Sequence, residues 1–121
     1  MHLHQGDTAM TRQNLLRDIL QQPTLEAMKQ AVNQLNVGEL VNLLPTVALN
    51  KRVLLFLLLE EPTALNVFRG LRFEEQLILL YAMETSEQNW LLNLLEPDEQ
   101  AVLLTILRRG QFRLSYATAR T

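Results

Sequence analysis

Three segments, KRVLLFLL (51–58), EQLILLYA (75–82) and EQAVLLTI (99–106), decide the fold, because their starts at Lys51, Glu75 and Glu99 are separated by a constant step of 24 residues. A second set, VGELVNLL (37–44), ALNVFRGL (64–71) and QNWLLNLL (88–95), alternates with the first. Each segment spans two to three helical turns, too short to hold a helix alone in water. The stretches between them (LPTVALN, EEPT, RFEE, METSE, EPDE) carry Pro, Thr, Ser or acidic residues suited to helix starts. Self-similarity at this period predicts short helices that bury one another, a stack of helix pairs with a repeat of about 24 residues. The expected architecture is all-α, a right-handed superhelix of short stacked helices.

Upstream of the repeat, Leu15, Leu16, Ile19 and Leu20 recur at helical spacing until Pro23 forbids continuation. Thr24 is placed to cap a second helix, about 24 to 35, whose apolar face is Leu25, Met28, Val32 and Leu35. The run VLLFLLL (53–59), apolar all round, reads as the most buried helix, sandwiched on both faces. Residues 1–10 are polar and aperiodic, which reads as a disordered leader, and its His2 and His4 lack a third ligand nearby for a metal site. Residues 11–109 form the expected helical domain. Residues 110–121, with Gly110, Arg113 and Arg120 among small polar residues, read as a tail or linker after a frayed helix end.

Composition agrees with this reading. The 121 residues are 48% hydrophobic and 20% charged, enough for one core, and hold 28 leucines against 4 glycines and 4 prolines. The net charge of -2 gives no global positive field for a phosphate backbone, so nucleic acid is not the expected partner. The longest uncharged apolar run, Val53 to Leu59, is far short of the roughly 20 residues of a membrane span. There is no cysteine, which excludes disulfides and thiol catalysis, and no signal-peptide pattern; the cytoplasm is the expected location.

No catalytic constellation stands out. Both histidines are in the leader, no serine sits in a GxSxG turn, and the glycines at 6, 38, 70 and 110 build no phosphate loop. The expected protein is not an enzyme. Trp90, Phe56, Phe68, Phe73 and Tyr81 read as packing residues of the repeat. Between Glu60 and Glu99 nine carboxylates face two arginines, whereas Arg108 to Arg120 carries four arginines and no acid. Glu74, Glu75, Glu87, Asp98 and Glu99 fall at or near expected helix N-termini, where the macrodipole favours a negative side chain.

The stretches TLEAMKQAV, NVGELVNLL, PTALNVFRGL, RFEEQLILLYAM and LEPDEQAVLLTIL, from about Leu16 to Leu107, resemble the N-terminal domain of MgtE-type magnesium transporters in order and spacing. The resemblance implies a cytosolic superhelical domain followed by CBS domains and a transmembrane pore. It further implies a sensor role, in which Mg²⁺ held by carboxylates between the N and CBS domains keeps the channel closed. Of the family's acidic positions, Asp98 is matched, while Asn66 and Val102 stand where family members carry acids. Glu74, Glu75, Glu96 and Glu99 complete the candidate metal set around Asp98. The candidate partners are CBS domains, another protein domain or a second copy of the chain. The rival reading is a metal-independent interaction scaffold resembling the helical modules of the flagellar rotor switch protein FliG.

Overall fold

The computed structural model describes the backbone of residues 15–120 and the side chains of residues 15–109. Leader positions 1–10, with His2 and His4, lie outside the described residues. Within them the chain is helical throughout, with no strand: α1 (15–20), α2 (Leu25–Val32), α3 (Val37–Leu43), a 3-10 turn (Leu44–Thr46), α4 (Leu49–Leu57), α5 (Glu61–Gly70), α6 (Phe73–Ala82), α7 (Thr85–Leu94) and α8 (Pro97–Arg120). The all-α class is therefore the class observed. The chain divides after Leu71 into two compact units, α1 to α5 and α6 to α8.

The helix starts reveal a shorter period than the sequence suggested. From Leu25 through Val37, Leu49, Glu61, Phe73 and Thr85 to Pro97, each helix begins twelve residues after the last. The step of 24 is two such units. Numbering each unit from its first helical residue, every buried hydrophobic side chain falls at position 4, 7, 8 or 11. Thus α5 buries Ala64, Val67 and Phe68 and then Leu71, and α3 buries Leu40, Leu43 and Leu44. Leu16 and Ile19 of α1 keep the same register, twelve residues ahead of Met28 and Ala31. The offsets of three, four and seven from position 4 form one stripe on a 3.6-residue helix.

In the units of α2 to α7 position 11 lies outside the α-helix and shapes the connection. Leu71 and Met83 leave their helices in extended conformation (φ -72°, ψ 151° and φ -84°, ψ 151°), and the residues after them, Arg72 and Glu84, are extended N-caps of the next helix. Two extended residues, the first with its side chain buried, thus reverse the chain without any left-handed residue. This connection needs no glycine, which accounts for the small number of glycines in so helical a chain.

Within the first unit α2 packs on α4 and α3 on α5; within the second α6 packs on α8. Helices two apart are neighbours, so the pair of about 24 residues is the packing repeat. The same hydrogen bond marks both units. Asn33 Nδ2, at position 9 of its unit, donates to the Leu58 carbonyl oxygen at 2.9 Å, 25 residues on, and Tyr81 Oη donates to the Ile106 carbonyl oxygen at 3.4 Å, again 25 residues on. Asn33 also donates to Lys29 O at 2.8 Å and accepts from Glu60 N–H at 2.9 Å, which ties the end of α2 to the α4–α5 connection. Phe56 and Phe68, both at position 8, pack with ring centroids 6.4 Å apart at 59°.

Four expectations change. Phe73, expected as a packing residue, is 46% exposed at position 1 of α6. The VLLFLLL helix is not sandwiched on both faces: Leu55, Phe56 and Leu59 are buried, while Val53, Leu54, Leu57 and Leu58 are half-buried, because the register of the repeat turns only one stripe inward. Leu25, expected on the inner face of the second helix, is 60% exposed at position 1. The tail or linker expected from residue 110 is instead part of α8, whose backbone is helical to Arg120. No proline follows Pro97, and a lone Gly110 in a helix costs only about 1 kcal/mol, too little to stop it.

Gly70 of α5 lies close against Val41 of α3. A Cβ on Gly70 would lie 2.8 Å from Val41 Cγ2, a methyl on a β-branched side chain whose rotamer is restricted in a helix, whereas a Cβ on Gly38 meets only Asn36 Oδ1 at 3.5 Å. Gly70→Ala is expected to lower unfolding free energy by about 1–3 kcal/mol through overpacking. Gly38→Ala is expected to raise it by about 0.5–1 kcal/mol. Urea denaturation of the two variants beside the parent chain checks both signs.

Candidate functional site

The expected metal set lies in the second unit, in and just before the first turns of α6 and α8. Glu74 and Glu75 occupy positions 2 and 3 of α6, and Asp98 and Glu99 occupy the same two positions of α8, with Glu96 just before it. Glu74, Glu96 and Asp98 are exposed; Glu75 and Glu99 are half-buried. The Arg72 guanidinium stands 3.7 Å from Glu74, with both side chains largely in solvent, so the pair adds little to stability.

Position 3 has a structural task. Glu99 Oε1 accepts the N–H of Glu96 at 3.1 Å, and Glu87 Oε1 accepts the N–H of Glu84 at 2.9 Å, each reaching back across the helix start to a backbone donor. Glu39 does the same for Asn36 at 3.1 Å, while Asn36 Oδ1 accepts the N–H of Glu39 at 2.8 Å, closing a reciprocal capping box. Glu75 holds the corresponding place in α6. Among the described residues no group of three or more His, Asp or Glu side chains is arranged to hold a metal ion. Glu74, Glu96 and Asp98 leave exposed carboxylates at these two helix starts.

The sequence reading missed the glutamines at position 4. Gln76, Gln88 and Gln100 recur every twelve residues, each directly after a glutamate. Gln88, the one buried polar residue among those described, donates from Nε2 to the Leu80 carbonyl oxygen at 2.7 Å, and Gln100 donates likewise to Leu92 O at 2.9 Å. Both acceptors lie near the C-terminal end of the preceding helix, and each also takes the N–H three residues on, from Met83 and Leu95. Each amide thus fastens a helix start to the end of the helix before it. The signal was present as Glu-Gln at 75–76, 87–88 and 99–100, a twelve-residue step hidden by reading the segments as two alternating sets.

Asn66 and Val102 are both at position 6 and both exposed: Asn66 on α5 in the first unit, and Val102 on α8 in the second, where its exposure is 54%. Ile78, at position 6 of α6, is 40% exposed. Trp90, at position 6 of α7, is half-buried, in agreement with a packing role.

With the repeat and its acidic helix starts described, the comparison with known families is decisive. The sequence pattern of the MgtE intracellular N domain matches residues 35–111, more than half of the chain. The chain belongs to the MgtE intracellular N domain family. The match begins at Leu35, so α1 and α2 precede it, although they share the burial register of the MgtE-type helices that follow. Among curated proteins and among solved structures, none matches the chain. No described helix of this MgtE N domain is long and apolar enough to cross a membrane.

Gln88 offers a direct test of the amide links. Gln88→Ala is expected to cost about 1–3 kcal/mol, through a cavity and a lost buried hydrogen bond. Gln88→Leu is expected to cost less than the alanine variant, because it keeps the volume, removes the buried polar group and leaves Leu80 O with its backbone donor. Thermal unfolding of both variants measures the order.

Proposed function

We propose that this chain is a non-catalytic regulatory docking domain of a cytoplasmic Mg²⁺-responsive assembly. The observation that carries the reading is that α6 and α8, which pack on each other, begin with carboxylate pairs in the same register, Glu74–Glu75 and Asp98–Glu99. Family membership supports it. All five donors, Glu74, Glu75, Glu96, Asp98 and Glu99, are hard carboxylate oxygens, the donor type Mg²⁺ takes, and Mg²⁺ characteristically keeps several waters while touching one or two carboxylates. An open acidic surface suits that mode better than a closed cage.

The energetic logic is electrostatic. In residues 72–109 seven carboxylates face three arginines, so the surface of this unit repels another acidic surface at low divalent concentration. A divalent cation shared between the two surfaces reverses the sign of the interaction. In this reading Asp98, exposed and at position 2, is the principal contact, and Glu99 divides its carboxylate between the backbone of Glu96 and the cation. The partner is a CBS domain, another protein domain or a second copy of the chain. Val102, exposed at position 6 of α8, stands on this unit where the resemblance implies an acid, so weaker binding is expected.

The test separates cap from ligand. Titration with MgCl₂ in the millimolar range at constant ionic strength is expected to shift the amide resonances of Glu74, Glu75 and Glu96 to Glu99 saturably and to raise the melting temperature. Asp98→Asn is expected to abolish the response with little change in stability without metal. Glu99→Gln is expected to keep the backbone hydrogen bond and weaken Mg²⁺ binding. A response absent from the parent chain, or unchanged in both variants, overturns Mg²⁺ sensing and leaves a metal-independent scaffold.

A further inference from the structure

The first unit contains a cleft of about 480 Å³ between α1 and the approach to α4, whose lining includes Arg17, Leu20, Val47 and Lys51. No carboxylate lines it. Arg17 and Lys51 come from helices far apart in sequence, and among the described residues neither forms an ion pair. Arg52 is half-buried, and its Nη2 donates to the carbonyl oxygens of Pro45 and Val47 at 3.1 and 3.0 Å, which fixes the turn that forms one side of the cleft. In a chain of net charge -2, the cleft is thus lined by two exposed cations and no acid, beside a turn whose backbone Arg52 holds in place.

We infer that this cleft binds a small organic phosphate, with Arg17 and Lys51 taking the phosphoryl oxygens and Leu20 and Val47 packing against the organic part. The volume lies within the range of small-molecule sites and exceeds what a bare phosphate fills. Two cations on separate elements match the charge of a phosphate dianion. The guanidinium offers a planar donor fork and the ammonium a point charge. The half-buried side chains of Leu20 and Val47 supply the apolar surface that an inorganic ion would leave uncovered. The cleft lies wholly within the first unit and uses none of the acids of the second, so it stands independently of Mg²⁺ binding.

The probes are inorganic phosphate and phenyl phosphate, each titrated into the full chain at constant ionic strength with chloride as control and followed by amide chemical shifts. Saturable shifts confined to residues 17–21 and 46–51, with phenyl phosphate binding more tightly than inorganic phosphate, are expected. Arg17→Gln and Lys51→Gln, both at exposed positions, are each expected to weaken phenyl phosphate binding about tenfold while leaving the melting temperature of the free chain unchanged. Shifts that are scattered, unsaturated or matched by chloride overturn the inference, as does unchanged binding in both variants. Phenyl phosphate binding no tighter than inorganic phosphate overturns the assignment to an organic ligand.

Discussion

A helix of seven to ten residues is close to the limit at which nucleation cost exceeds the gain from a few hydrogen bonds, so α2 to α7 hold their shape only through what they bury. The buried stripe at positions 4, 7, 8 and 11 is the constraint from which the rest follows. It fixes which face of each helix turns inward, and in α4 to α7 it places a buried position 11 in the connection that follows the helix. An apolar side chain there is drawn into the core while the backbone is extended, and the next residue becomes an N-cap. The twelve-residue step is thus a consequence of the burial pattern combined with the shortest extended connection that reverses the chain.

That constraint governs where function can reside. With four positions in twelve committed to the core, position 12 to capping and position 3 in α3, α7 and α8 to the same task, the surface residues free to meet a partner are chiefly those at positions 1, 2 and 6. Asp98 and Glu74 sit at position 2, and Asn66, Ile78 and Val102 sit at position 6. At position 4 the second unit replaces apolar side chains by glutamine, and the Gln88 and Gln100 amides reach the end of the helix before. Burial of such an amide is costly unless it is paired, and the bonds to Leu80 O and Leu92 O supply the partner. The connection there is held by a directional bond as well as by packing.

The helical class, the six repeat segments and the capping role of Thr24 were legible in the sequence, because leucine spacing and cap residues are local signals. Acid placement at helix starts was legible for the same reason. The true period was not: Glu-Gln at 75–76, 87–88 and 99–100 recurs at twelve, but the apolar strings beside it differ in Phe56, Trp90 and Tyr81, and the similarity is stronger between alternate helices. Burial around α4 was misread because seven consecutive apolar residues give no periodic signal, and only the register of neighbouring helices selects Leu55, Phe56 and Leu59. Which carboxylates act as caps was equally hidden, since Glu96 and Glu99 differ in role through a backbone N–H that residue identity does not show. The cleft at Arg17 and Lys51 depends on two helices separated by more than thirty residues, beyond any local pattern.

The most direct measurement of this account is the set of backbone ¹³C secondary chemical shifts of the full chain in solution. Helical shifts that restart at residues 25, 37, 49, 61, 73, 85 and 97, each after extended values at positions 11 or 12, are the predicted result. A single helical run continuing through any two of those restart points, or strand-like shifts between residues 37 and 106, would contradict it.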